Sequence, residues 1–167
     1  MIVRPFDPAD RPALGAMLDT TFAAGDSYAV PPAMGPEGAV RWWTQPGKTV
    51  FVAEEAGAAL GTYYIRANAE GPGAHVCNCG YVTAPAARGK GVAAAMLAHS
   101  LGEARRAGFR GMQFNAVVST NDRAVRLWRK AGFVTIGRVP GAFLHPEHGY
   151  VDTLIMYLNL VDDPHAR

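Results

Sequence analysis

The stretch Val82-Thr83-Ala84-Pro85-Ala86-Ala87-Arg88-Gly89-Lys90-Gly91-Val92-Ala93-Ala94 constrains this chain more than any other. A β-rich run, His75 to Val82, stops at a proline, passes two glycines flanking a lysine and enters an alanine-rich segment. That segment carries Val92, Met96, Leu97, Leu101 and Ala104 at helical spacing. Strand, glycine turn and helix in succession place free amides at a helix N-terminus, where glycines let the backbone approach an anion closely. Arg88 and Lys90 add countercharge, and the helix dipole favours each negative charge by ~0.3–1 kcal/mol. Taken alone, the same residues also satisfy a plain tight turn into a helix.

Two phosphate motifs are excluded by spacing. Gly89-Lys90-Gly91-Val92-Ala93-Ala94 matches G-x-G-x-x-G/A literally, but that dinucleotide fingerprint needs an acid about 20 residues on. No acid lies between Glu103 and Asp122. The loop also follows several strands instead of opening a βαβ unit. A Walker loop fails because Gly91, not Ser or Thr, follows Lys90.

At 167 residues, 49% of them hydrophobic and 18% charged, the chain reads as one globular domain over 1–161 with a loose tail at 162–167. Ile2 to Phe6 alternates as a strand, and Asp7-Pro8 opens a helix through about Ala24. Residues 25–38 read as irregular, followed by an amphipathic stretch with Val40, Trp42 and Trp43. Lys48–Glu54 and Leu60–Arg66 form a hairpin about Glu55-Ala56-Gly57. Met112–Val118 is a buried strand, Asn121 opens a helix ended by Gly132, and Phe133–Arg138 and Val151–Leu158 supply the last strands. The order β-α-α-β-β-β-α-β-α-β-β describes an α/β (α+β) fold, a mixed sheet with helices packed on it.

A second motif stands about thirty residues after the glycine loop: Asn121-Asp122-Arg123-Ala124-Val125-Arg126-Leu127-Trp128-Arg129-Lys130-Ala131-Gly132-Phe133. It is similar to N-x-x-A-x-x-L-[Y/W]-x-K-x-G-F of the GCN5-related N-acetyltransferase (GNAT) family. The loop resembles that family's Arg/Gln-x-x-Gly-x-Gly/Ala element through Arg88, Gly91 and Ala93. The resemblance covers about 49–133. It implies a single mixed, mostly antiparallel sheet of about seven strands, splayed between the fourth and fifth. It implies acetyl-CoA as cosubstrate, its pantetheine arm bonded to backbone near Val82 and Thr83. Its diphosphate would rest on Gly89, Lys90, Gly91, Val92 and Ala93 with Arg88, and Asn121 and Trp128 would face the arm. Many members pair through their C-terminal strands, which makes a homodimer the family-level expectation.

Two family features are missing. Many members use a glutamate on the fourth strand as base, and here His75 to Val82 has no carboxylate. Many use a tyrosine to protonate the leaving thiolate; Trp128 stands there, and an indole cannot serve as that acid. An alkyl thiol of pKa about 8.5 leaves without much help. The amine matters more: a lysine-like amine (pKa about 10.4) is far less often neutral than an α-amine near 8. Weak base assistance therefore leans towards a small amine or an amino acid. The alternatives are a protein N-terminal or antibiotic amine acetyltransferase, and a non-catalytic acetyl-CoA-binding module.

Asn78 and Asn115 stand in strands, where asparagine is disfavoured. Each either ties down backbone where strands diverge or faces the thioester and the amine. "HVCNCGY", "QFNAVVSTN" and "GRVPGAFLHP" resemble the azetidine-2-carboxylate (proline-analogue) N-acetyltransferase branch. That resemblance implies catalytic Asn78 and Asn115. Tyr28, Trp42, Trp43, Phe143, His145 and Tyr150 are the substrate-side candidates, with core packing as their ordinary alternative.

Other classes find little support. His145 and His148 lack a third ligand, so no metal is expected. From Arg88 to Lys130 there are nine Lys/Arg against Glu103 and Asp122, but helix faces and the cofactor explain them without nucleic acid. No apolar run approaches a membrane span, no signal pattern opens the chain, and Cys77 and Cys79 share a strand face without bridging geometry. A cytoplasmic protein is expected.

Overall fold

The computed structural model describes residues 1–162; residues 163–167, most of the expected tail, lie outside the described residues. All seven strands join one sheet. They are β1 (Ile2–Pro5), β2 (Thr49–Glu55), β3 (Ala58–Ala67), β4 (Val76–Thr83), β5 (Gly111–Val118), β6 (Val134–His145) and β7 (Gly149–Asn159). The spatial order is β1-β2-β3-β4-β5-β7-β6. Every neighbouring pair is antiparallel except β4 and β5.

Four helices cover the two faces: α1 (Arg11–Ala24), α2 (Gly35–Trp43), α3 (Val92–Arg106) and α4 (Asp122–Lys130). Period-2 alternation divides the strand residues between them. Phe51, Tyr63, Cys77, Cys79 and Met112 pack with Met96 and Leu97 of α3 and Trp128 of α4. Val50, Val52, Tyr64 and Val82 pack with Leu14, Leu18 and Phe22 of α1 and Trp43 of α2. Both cysteines are buried free thiols on the α3 side.

Several ends differ from the sequence expectation. Asp7 caps a 3-10 turn, Pro8–Asp10, in a reciprocal box with Asp10, and α1 begins only after it. Residues 35–38, expected irregular, form the first turn of α2. The last two strands make a longer hairpin than Phe133–Arg138 and Val151–Leu158. Pro140 and Gly141 look like a loop, but they lie in an edge strand where the register shifts between Val139 and Phe143. An edge position and a bulge tolerate proline's missing donor. In α4 the buried residues are Val125 and Trp128, while Ala124, Leu127 and Ala131 are half-buried.

Candidate active site

β4 and β5 pair at only two positions, Val76 with Gly111 and Cys77 with Met112. At the next residue, Asn78 Nδ2 donates to the Gln113 carbonyl at 2.8 Å and closes the apex. Beyond it the strands part, and a cavity of about 990 Å³ opens between them. The parting follows from registers on either side. β4 stays paired with β3 up to Thr83, and β5 pairs with β7 through a shift between Phe114 and Val117. Val82 and Thr83 stand on the unpaired β4 edge and line the cavity.

The glycine loop forms its far wall. Gly89 (φ 81°) and Gly91 (φ 78°) are left-handed, where a side chain is strained. A Cβ on either would meet nothing within 4 Å, so the space above the loop is open. Arg88 N–H bonds Pro85 and Lys90 N–H bonds Ala87, each at 3.3 Å, and the first α3 bond runs from Ala95 N–H to Gly91. The amides of Gly89, Gly91, Val92, Ala93 and Ala94 thus have no acceptor among the described residues. The donor set is Gly89 plus four consecutive amides starting at Gly91, with the Lys90 amide turned inward. Arg88 borders the cavity; Lys90 is exposed beside it. The first turn of α3 holds no acid. Unpaired donors, a helix N-terminus and a basic side chain at one opening fit a diphosphate.

The α4 side is aromatic. Trp128 is buried, its ring 5.1 Å from Tyr81 and 4.9 Å from Phe114. Asn121 caps α4, its Oδ1 accepting from Ala124 N–H at 3.2 Å, and it too lines the cavity. Burial raises the Tyr81 phenol well above its ordinary range; its hydroxyl is 2.7 Å from Ser100 Oγ. Tyr81 is therefore a neutral hydrogen-bonding group near neutral pH.

The opposite side separates the two strand asparagines. Asn78 is 7% exposed. Asn115 is exposed at the β5 bulge, with Oδ1 accepting from Gln113 Nε2 at 2.9 Å and Nδ2 donating to Asn68 Oδ1 at 2.7 Å. Both line the cavity. Of the two, only Asn78 bonds the backbone of the facing strand with its side chain.

Of the substrate-side candidates, the structure brings Tyr28, Trp42 and His145 to the cavity wall. Tyr28 Oη donates to the Tyr81 carbonyl at 2.9 Å. The crossing works because residue 80 is glycine: a Cβ there would lie 2.6 Å from Tyr64 Cε1 and 3.0 Å from Tyr28 Oη. His145 Nδ1 accepts from Glu147 N–H at 3.1 Å, leaving Nε2 as donor in the neutral ring. Three candidates stand elsewhere. Trp43 is fully buried, Nε1 donating to Thr62 Oγ1 at 3.1 Å, and belongs to the core between α2 and the sheet. Phe143 is buried in the β6–β7 hairpin, off the wall. Tyr150 is 77% exposed and also off the wall. Sequence reasoning missed Tyr64 and Arg66, which share the wall with Asn78. Their signal was strand alternation alone, and their neighbours depend on register. Among the described residues no three His, Cys, Asp or Glu side chains converge on a metal-sized site, and no helix is long and apolar enough to cross a membrane.

Residues 17–133 match the family described as the acetyltransferase (GNAT) family. The chain is 37% identical over 97 residues to the N-acetyltransferase aca1 of Schizosaccharomyces pombe, covering 58% of this chain and 46% of that protein. It thus spans about half the length of that curated relative. Among solved structures, a GCN5-related N-acetyltransferase from Kribbella flavida is similar with a TM-score of 0.89 and 42% identity, covering 95% of this chain and 96% of that one. A GNAT superfamily phosphinothricin acetyltransferase from Sinorhizobium meliloti, in complex with acetyl-CoA, has the same fold at a TM-score of 0.81 and 22% identity, covering 99% and 91%. With the splayed parallel pair and the helix-opening glycine loop, these likenesses lead to one conclusion: the chain belongs to the acetyltransferase (GNAT) family.

Proposed function

We propose that this protein is an acetyl-CoA-dependent N-acetyltransferase whose acceptor is the amine of a small molecule or an amino acid. The observation that carries the reading is the row of unpartnered amides, Gly89 and Gly91–Ala94, opening onto the gap between β4 and β5. When bound, acetyl-CoA supplies an activated acetyl thioester. The chain's residues hold and aim it. The loop amides and Arg88 grip the diphosphate, the free β4 edge at Val82 and Thr83 accepts the pantetheine arm as a strand would, and Asn121 and Trp128 border the arm.

Asn78 and Asn115 act as amide groups at the apex, offering donors and acceptors without charge. With Nδ2 of Asn78 fixed by Gln113, its Oδ1 is the atom that orients an incoming N–H. β4 has no carboxylate to take the ammonium proton, so that proton leaves to water before the nitrogen attacks. Acceptors whose amine is already partly neutral near pH 8 gain most.

The absent carboxylate and Trp128 also favour a second reading, an acetyl-CoA-binding module without turnover. Thiol release from acetyl-CoA over a panel of amino acids, amines, antibiotics and peptides decides. Amine-dependent release reduced by Asn78→Ala supports the enzyme; acetyl-CoA binding with no release on any amine overturns it in favour of the module.

A further inference from the structure

On the sheet face that packs against α1 and α2, an exposed arginine with no counter-ion among the described residues lines the cavity. Arg66 pairs with Asn78 across the β3–β4 ladder. Partners in such a ladder project side by side on one face, with Cβ atoms roughly 4.5–5.5 Å apart. Both residues line the cavity. Tyr64 and Arg66 alternate onto this face from β3, and Asn78 and Gly80 from β4, with Asn68 one residue past the end of β3. Asn115 joins them through its bond to Asn68. None of these is acidic. Arg4, Arg106 and Arg138 each have a carboxylate partner, whereas Arg66 has no hydrogen-bonded or ion-paired partner among the described residues.

A second cation stands behind the same wall. Lys48 Nζ donates to the Trp42 carbonyl at 2.6 Å and lies 3.6 Å from the Trp42 ring and 4.6 Å from the Tyr64 ring. Burial and the charge of Arg66 bring its amine down to about 8. Lys48 thus lies against the aromatic rings within reach of the Arg66 charge, and an incoming anion relieves the repulsion between the two cations. Two carboxylates also line the cavity, Asp26 in the loop between α1 and α2 and Asp122 in the first turn of α4, and among the described residues neither forms an ion pair with Arg66.

We propose that Arg66 determines acceptor specificity by binding a carboxylate of the substrate, which is therefore a small amino acid whose nitrogen is presented at Asn78. The inference rests on the acetyltransferase reading above. A guanidinium fork matches a carboxylate in two parallel hydrogen bonds. Because Arg66 and Asn78 are ladder partners on one face, a single small molecule can reach both groups. The same cations disfavour an ammonium beside them, which raises the neutral fraction of the bound amine where β4 offers no base. Polycationic acceptors are disfavoured for the same reason.

The test compares amino acids with their carboxamides, whose amines are the less basic and would win if neutrality alone decided. Wild-type protein is expected to prefer the acid by roughly 10- to 100-fold in kcat/KM. In Arg66→Gln that ratio collapses towards one, mainly through KM for the acid, and Arg66→Lys recovers part of it. A wild type indifferent to the carboxylate, or an Arg66→Gln that keeps the preference, overturns the inference and leaves the acetyltransferase intact. Turnover of no amine at all overturns both. Calorimetry of the acetylated amino acid into the CoA-loaded protein reads the same carboxylate without turnover: weaker binding in Arg66→Gln supports the role, and equal binding contradicts it. Matched thermal midpoints exclude misfolding as the cause of a loss.

Discussion

Asn78 carries both structure and proposed chemistry in one amide. Replacing it with Ala strips the Gln113 carbonyl of its donor at the apex, which costs about 1–3 kcal/mol in urea unfolding. The same change is expected to lower kcat by ~10²-fold, the scale of losing one positioned dipole. Loss of stability with undiminished kcat would make Asn78 a tie and nothing more. The neighbouring tryptophans show where residue-level reading stops. Adjacent helix positions point about 100° apart, so one of Trp42 and Trp43 had to face inward, but a nine-residue helix does not say which. The structure buries Trp43 against Thr62 and leaves Trp42 beside Lys48. Trp43→Ala is expected to cost about 3–5 kcal/mol.

At the scale of elements, the glycine loop with α3 was legible because each signal is local: a proline stop, left-handed glycines and helical apolar spacing. Gly91→Val forces a branched side chain into φ 78°, a strain of roughly 1–2 kcal/mol, and fills the cradle opening. The expected outcome is loss of CoA affinity in calorimetry with a small fall in thermal midpoint. The two strands of the β6–β7 hairpin were legible, but its extension beyond Arg138 was not, because Asp152, fourteen residues from Arg138, holds it. Its carboxylate accepts from Gly141 N–H at 3.0 Å and from Arg138 at 2.6 Å, overriding a loop-like Pro-Gly. Helix α3 also carries a pH response. His99 Nδ1 lies 2.7 Å from the Tyr63 hydroxyl, and burial lowers its pKa from 6.5. The unfolded chain therefore takes the proton first, so stability is full above pH about 6.5 and falls below it. His99→Gln is expected to flatten this slope in thermal melts between about pH 5 and 7; an unchanged slope would acquit His99.

For the whole molecule, the fold was readable because two motifs sit in order on a βαβ-containing pattern, while the acceptor side was readable only in part. Its residues come from β3, β4, β5 and the approach to α2, and only inter-strand register makes Arg66 and Asn78 neighbours. The outer edge is a further consequence of strand order. β6 ends the sheet and exposes Val134, Ile136 and Leu144, with Tyr150 beside it on β7, and an apolar open edge invites a partner. Sedimentation is expected to show a homodimer that Ile136→Glu converts to monomer; a monomeric wild type would refute this.

The central claim is that main-chain donors at the head of α3 hold the diphosphate of coenzyme A. Titration calorimetry of coenzyme A against pantetheine, which lacks that diphosphate, tests it most directly. The cradle predicts clear binding of coenzyme A, pantetheine weaker by at least about 10-fold, and most of that difference erased in Gly91→Val. Equal affinity for the two ligands, or an undiminished difference in the variant, would contradict it.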